Sequence, residues 1–192
     1  MAILTFPAIT PAKSSWGLKS ITETFTSPLN GAIQTAGRLG ARWKATLDFY
    51  PLDATQSRLM EGFLTQVDGM AGRFYLPAHH RLGTGAACSV NGPNQVGSSL
   101  LITAAANRTF LIGDYFSVNG EFKVLTAAVT ADAAGSVTIQ FAPMLRVAPP
   151  SGTTLIFTQP TILAMLSTDE FSMSREPGAL ASGLSLACVE VF

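Results

Sequence analysis

The residues best suited to acid–base or metal chemistry are His79 and His80, which stand side by side after Pro77. Imidazole acts as a general base or a metal ligand near neutral pH. Adjacent side chains on an extended segment point to opposite faces, so these two rings do not readily share one metal. No Asp or Glu lies between Asp68 and Asp114 to orient either ring. The pattern favours a polar linker or interface contact, and a hydrolase that uses His79 or His80 is the least favoured hypothesis.

The other chemistry-bearing residues do not form a recognisable site. Asp169 and Glu170 are adjacent carboxylates and Glu176 follows six positions later, but a glycosidase needs two carboxylates at a set separation in a cleft. Cys88 and Cys188 lie a hundred positions apart, and with two histidines they do not match the spacing of a zinc motif. We expect two reduced thiols in the core, no metal, no cofactor, no catalytic residue and therefore no enzymatic activity.

Composition narrows the class of protein. The chain has 192 residues, a formal net charge of +0 and 47% hydrophobic residues, so it has enough apolar material for a core. Charged residues make up 12%, about half the usual share of roughly 25%. This balance argues against a dedicated nucleic-acid binder and predicts a surface that partners cover.

Apolar stretches such as 100–106 and 184–191 are far shorter than the ~20 residues of a membrane span. The first residues lack a secretory pattern, so we expect synthesis in the cytoplasm.

Periodicity predicts a mainly β fold with one helix. Residues 43–50 alternate with period two and residues 73–76 form a short aromatic strand. Between them, Asp53 can cap a helix over about 54–67, whose apolar residues recur at helical spacing. Asp68 and Gly69 can end this helix.

Composition and charge divide the chain into three segments. Residues 86–152 contain short strand patterns and turn signals, among them Asn119-Gly120, which predicts a two-residue hairpin. Residues 1–85 carry eight basic and five acidic side chains, whereas residues 153–192 carry one basic and four acidic ones. We therefore predict that 1–85 and 153–192 fold together as a β-sandwich or split-barrel-like domain with the helix. Residues 86–152 would form a small inserted β-barrel or sandwich domain.

The segment from Thr26 to Arg42 is uncharged at its start, rich in turn residues and long for a plain hairpin. It is either a mobile loop or an arm that adds a strand across a subunit interface. On the second interpretation, the candidate interface residues are Ser27, Pro28, Leu29, Asn30, Gln34, Arg38, Arg42 and Lys44, with Asp169, Glu170 and Glu176 as acidic counterparts. The basic residues could instead face a lumen through which DNA passes.

Several short motifs, spread over most of the chain, resemble the distal tail (baseplate) proteins of long-tailed, siphovirus-like bacteriophages. They are Ser27-Pro28-Leu29-Asn30-Gly31 with Gln34-Thr35, Trp43, Pro51-Leu52, Phe63-Leu64, Gly69-x-x-Gly72-Arg73-Phe74-Tyr75-Leu76, Gly113-Asp114-Tyr115-Phe116, Ala131-Asp132-Ala133-Ala134-Gly135 and Pro143-Met144-Leu145-Arg146.

The resemblance implies a structural virion protein of the tail tip that forms a ring, commonly a hexamer. Its partners would be further copies of itself, the tail tube protein, and the hub and fibre proteins of the tip, and DNA would only pass through the lumen. The inserted segment would project outward and bind fibres or carbohydrate. Two alternatives stay open: a carbohydrate-binding β-sandwich, which exposed Trp16 and Tyr115 around a groove would favour, and a minor tail adaptor protein.

Overall fold

The fold is mainly β, as predicted. The computed structural model describes residues 2–80, 85, 87–175 and 181–191, without the side chains of Arg38 and Leu39. The elements are β1 Leu4–Thr5, β2 Lys13–Thr26, β3 Ile33–Asp48, α1 Ala54–Val67, β4 Phe74–Pro77, β5 Cys88–Val90, β6 Gly97–Thr103, β7 Thr109–Phe110, β8 Tyr115–Val118, β9 Glu121–Leu125, β10 Val129–Thr130, β11 Ser136–Leu145, β12 Thr154–Leu155, β13 Thr161–Leu166 and β14 Ser185–Glu190.

Strands from the two ends of the chain form one six-stranded sheet, which we call the first sheet. Its strand order is β1-β4-β13-β14-β3-β2. Helix α1 buries Met60, Phe63 and Leu64 in the same core as the inward-facing residues of this sheet. The helix has the predicted bounds because Asp53 and Gln56 form a capping box at its start. At its end, Asp68 adopts the left-handed conformation with φ 57°.

The second sheet contains the strands of the central segment in the order β12-β5-β6-β11-β9-β8. A bridge between Ser117 and Ile156 connects its two ends, so the sheet curls into a nearly closed barrel. The turn between β8 and β9 has positive φ at Asn119 and Gly120, as the hairpin signal predicts. β12 and Phe157 belong to the second sheet and its core although they follow residue 152.

An aromatic cluster joins the two sheets. Phe122 of β9 packs in the first core, with its ring 5.1 Å from that of Trp43 and 5.4 Å from that of Trp16. The Trp43 indole Nε1 donates a hydrogen bond of 2.9 Å to the Phe122 carbonyl. Trp16 is therefore only 9% exposed. Phe122, a side chain from another segment, covers Trp16, so Trp16 is not the exposed ring that would favour a carbohydrate-binding groove.

Four charged side chains form a buried cluster between the two sheets. Glu121 accepts a hydrogen bond of 2.6 Å from Lys123 Nζ, and Glu190 accepts one of 2.8 Å from Arg146 Nη2. Lys123 and Glu190 are both 0% exposed. Burial lowers the pKa of Lys123, and the hydrogen bond from its ammonium to Glu121 opposes that shift. The cluster holds two acids and two bases, so each buried charge has an opposite charge beside it.

The burial of this cluster predicts a large cost when one member is removed. Arg146→Met should lower the free energy of unfolding by about 3–5 kcal/mol, because Glu190 stays buried without its cation. The control is Arg175→Met, which breaks the half-exposed pair between Arg175 and Glu61 and should cost about 0–1 kcal/mol. Urea unfolding followed by circular dichroism measures both. Equal losses in the two variants would contradict this assignment.

Candidate interaction surface of the β2–β3 arm

A two-stranded ribbon extends beyond the first sheet. β2 and β3 pair with each other from Lys13–Asp48 at one end to Thr26–Ile33 at the other. β14 pairs with β3 only as far as Lys44, so residues 19–42 lie beyond the sheet in the described part of the chain. We call residues 19–42 the arm. The segment interpreted as either a loop or an arm is thus a β-hairpin, with one shift of register between Lys19 and Ile21.

The arm exposes large apolar side chains on both faces. Phe25 lies opposite Gln34 on one face and is 62% exposed, whereas Ile33 lies opposite Thr26 on the other face and is 67% exposed. Leu29 in the connecting turn is 95% exposed. A two-stranded hairpin on its own is marginally stable in water. The arm therefore gains from any surface that covers its apolar side chains.

The base of the arm is anchored to both sheets by Arg146. Its Nη2 donates a hydrogen bond of 2.8 Å to the Ala41 carbonyl, while the same guanidinium binds Glu190 of β14. A groove of about 390 Å³ lies beside this anchor, between the arm and the end of β11. Ile21 and Met144 are among its lining residues. Sequence reasoning missed this anchor, because residues 41, 146 and 190 share no local pattern.

The candidate interface residues of the hairpin are spread from the tip of the arm to just beyond its base. Ser27, Pro28, Leu29 and Asn30 form the tip, where the Asn30 side chain accepts a hydrogen bond from the Ala32 backbone N–H. Gln34 follows on β3. The strand register places the backbone of Arg38 opposite Ile21, in mid-arm, and Arg42 opposite Lys19 at the base, with Lys44 two positions further on.

The acidic candidates lie on the loop after β13. Asp169 Oδ1 accepts a hydrogen bond of 2.8 Å from the Met70 backbone N–H, so the loop contacts the segment that follows α1. Glu170 beside it is exposed. Glu176 lies outside the described residues. The basic and acidic candidates are therefore near one another within the chain, because Met70 also lines a groove with Arg42 and Lys44.

The two histidines have different environments. The His79 ring packs edge-on against Phe6 at 6.0 Å, and its Nε2 is buried without a hydrogen-bond partner among the described residues. His80 Nδ1 lies 3.3 Å from Ser14 Oγ. Ser14 donates its hydroxyl proton to the His79 carbonyl at 2.9 Å, so His80 does not activate it as a base would. Within the described residues, no cluster of three or more His, Cys, Asp or Glu side chains could hold a metal.

Both cysteines are buried free thiols, as expected, and they lie in different cores. Burial raises the pKa of Cys188 to about 12. This thiol therefore stays protonated and unreactive at neutral pH.

No protein-family model matches the chain, and no curated protein matches it either. In the part of the chain that the structure describes, no helix is long and apolar enough to cross a membrane. The described chain is mainly β, with two six-stranded sheets, a two-stranded sheet of β7 and β10, and a projecting arm.

The environment of His79 predicts a pH dependence of stability. Burial, and then the neighbouring charge of His80, lower the pKa of His79 from 6.5. The unfolded chain then binds more protons than the folded one, so stability is full above pH 6.5 and falls as the pH drops below it. The melting temperature of His79→Gln should fall less than that of the wild type when the pH is lowered from neutral to acidic. The control His80→Gln keeps His79, so its melting temperature should fall more than that of His79→Gln. Identical profiles for His79→Gln and the wild type would contradict this.

Proposed function

We propose that this chain is a structural, non-enzymatic protein of a bacteriophage tail tip that assembles into a ring through its arm. The observation that carries the proposal is the arm itself, which exposes Phe25, Leu29 and Ile33 well away from the core of its own subunit. The resemblance of the tip motif Ser27–Gly31 to distal tail proteins supports the same assignment.

The arm suits contact with a neighbouring copy. Its two strands are unpaired on their outer edges beyond the first sheet in the described chain, so a neighbour can add a strand to either one. The contact joins an arm to a different surface of the next copy, which makes it heterologous, and such contacts generate closed rings when the rotation closes. The low charge of the chain favours burial of this surface. Ring size, expected to be six, follows from the resemblance alone.

In this proposal the ring joins the tail tube protein to the hub and fibre proteins of the tip, within the virion. The arm and the first sheet supply the ring contacts, and the second sheet supplies a surface for fibres. DNA meets the ring only as a passing polymer, without sequence readout. A minor tail adaptor that uses the same arm without closing a ring is the related alternative.

A carbohydrate-binding role receives less support. That hypothesis required Trp16 and Tyr115 to flank an exposed groove, because sugars stack on exposed aromatic rings. Trp16 is buried, and the Tyr115 ring stacks on Phe122 at 5.4 Å and 9°. Both rings thus take part in the junction between the sheets.

The test compares two pairs of serine substitutions by native mass spectrometry. Phe25→Ser with Ile33→Ser removes apolar surface from the arm. The control, Leu111→Ser with Ile112→Ser, removes side chains between β7 and β8 of the central segment that are 53% and 68% exposed. We expect the wild type and the control to form one closed oligomer. The arm variant should be monomeric with an unchanged circular dichroism spectrum, since exposed side chains contribute little to folding.

A wild-type protein that stays monomeric over a wide concentration range and is also missing from purified tail particles would contradict ring assembly. An arm variant that still forms the wild-type oligomer would contradict the role of the arm.

A further inference from the structure

We infer that the groove beside Arg146, between the base of the arm and the end of β11, receives the apolar arm tip of a second copy of this chain. The inference rests on the proposed function and deepens it, because it names the surface that binds the arm of a neighbouring copy. We call this surface the receiving groove, and its volume is about 390 Å³. Its larger apolar side chains are Leu18, Ile21, Pro143 and Met144.

The receiving groove presents apolar side chains to solvent in the isolated subunit. Leu18 is 36% exposed, Ile21 41% and Met144 45%. Ile21 belongs to β2 and Met144 to β11, so the groove forms only where the arm and the second sheet meet. Removing these side chains from water is favourable, which selects an apolar occupant.

The charges around the receiving groove favour an uncharged occupant. Arg146 is the one charged residue of the described lining, and its guanidinium already binds Glu190 and the Ala41 carbonyl. A charged group that entered the groove would lose water without gaining a free partner of opposite charge. Residues 24–37 of the arm contain no charged side chain, and Leu29 in their turn is 95% exposed. The arm tip therefore matches the groove in polarity and in charge.

Small residues leave room for the backbone of the occupant. Gly37, Ala41 and Ala142 line the groove, and a Cβ atom on Gly37 would meet no heavy atom within 4 Å. β2 is the last strand of the first sheet, so its outer edge has no strand beside it in the described chain. A hairpin from another copy can pair with this edge while its Leu29 enters the groove.

The arm tip cannot fill the receiving groove of its own subunit. The two strands of the arm stay paired from Ile21 to Thr26, which keeps the hairpin extended. Thr26 is roughly 17 Å from Ile21 along the strand, and Leu29 lies beyond Thr26. Tip and groove are thus separate surfaces of one chain, and joining them between copies gives the head-to-tail contact that ring closure needs.

The first test fills the receiving groove with a side chain of its own subunit. Gly37→Leu places that side chain in open space, at a backbone conformation that allows it. Gly17→Leu is the matched control, because Gly17 is equally open but lies outside the groove lining. We expect Gly37→Leu to weaken self-association about tenfold or more and Gly17→Leu to leave it unchanged, as measured by sedimentation over a concentration series. Circular dichroism and melting temperatures show whether both variants are folded.

The second test crosslinks the tip of one copy to the groove of another. Copies with Leu29→Cys are mixed with copies that carry Met144→Cys and are oxidised mildly. The control partner carries Tyr50→Cys, since Tyr50 is 71% exposed and follows the end of β3 that is farthest from the arm. A disulfide needs Cα atoms within about 7 Å of each other, and both native cysteines are buried. We expect about tenfold more crosslinked dimer with Met144→Cys than with Tyr50→Cys.

Two outcomes would overturn the inference while the wild type still forms its oligomer and the proposed function stands. One is unchanged self-association of a folded Gly37→Leu variant, and the other is equal crosslinking to the Met144→Cys and Tyr50→Cys copies. Crosslinks mainly between two Leu29→Cys copies would also overturn it, because they would show a two-fold contact of tip with tip. A wild type that is monomeric would contradict the proposed function and this inference with it.

Discussion

The packing of the two six-stranded sheets and the arm base depends on the contacts of Arg146. Its guanidinium binds Glu190 of β14 and the Ala41 carbonyl of β3, and its backbone N–H donates a hydrogen bond to Glu121. One residue of the central segment thus contacts the end of β14 in the first sheet, the base of the arm and the start of β9. Because Glu190 is fully buried, its negative charge is tolerated only with this cation in position. The aromatic cluster around Phe122 adds apolar packing to the same junction.

This anchoring gives the arm a defined direction, and it separates two kinds of surface along its length. The tip carries Leu29 and the nearby Phe25, which suit an apolar contact. The base carries the cations Lys19 and Arg42, and Lys44 follows just beyond it on the same face.

Features encoded by neighbouring residues were predictable from the sequence. The capping residue Asp53, the helix over 54–67 and the Asn119-Gly120 turn all depend on contacts within a few positions. The full length of β3 could not be predicted from the sequence, because Gly37 and Gly40 interrupt the apolar alternation that is typical of a strand. The burial of Trp16 and the pairing of Arg146 with Glu190 depend on residues far apart in the chain, which no local pattern records. Arg42 and Lys44 line the same groove as Lys19, which no local pattern indicated and which the strand register places opposite Arg42.

The central claim is that the arm exists to contact another copy of the chain. A reconstruction by cryo-electron microscopy of the assembled particle, taken from purified phage tails or from the isolated oligomer, tests it most directly. If the arm makes this contact, Phe25, Leu29 and Ile33 are buried against the adjacent subunit, and the arm extends from the base that Arg146 binds through the Ala41 carbonyl. An assembled particle in which these three side chains point into solvent, away from every neighbouring subunit, would contradict it.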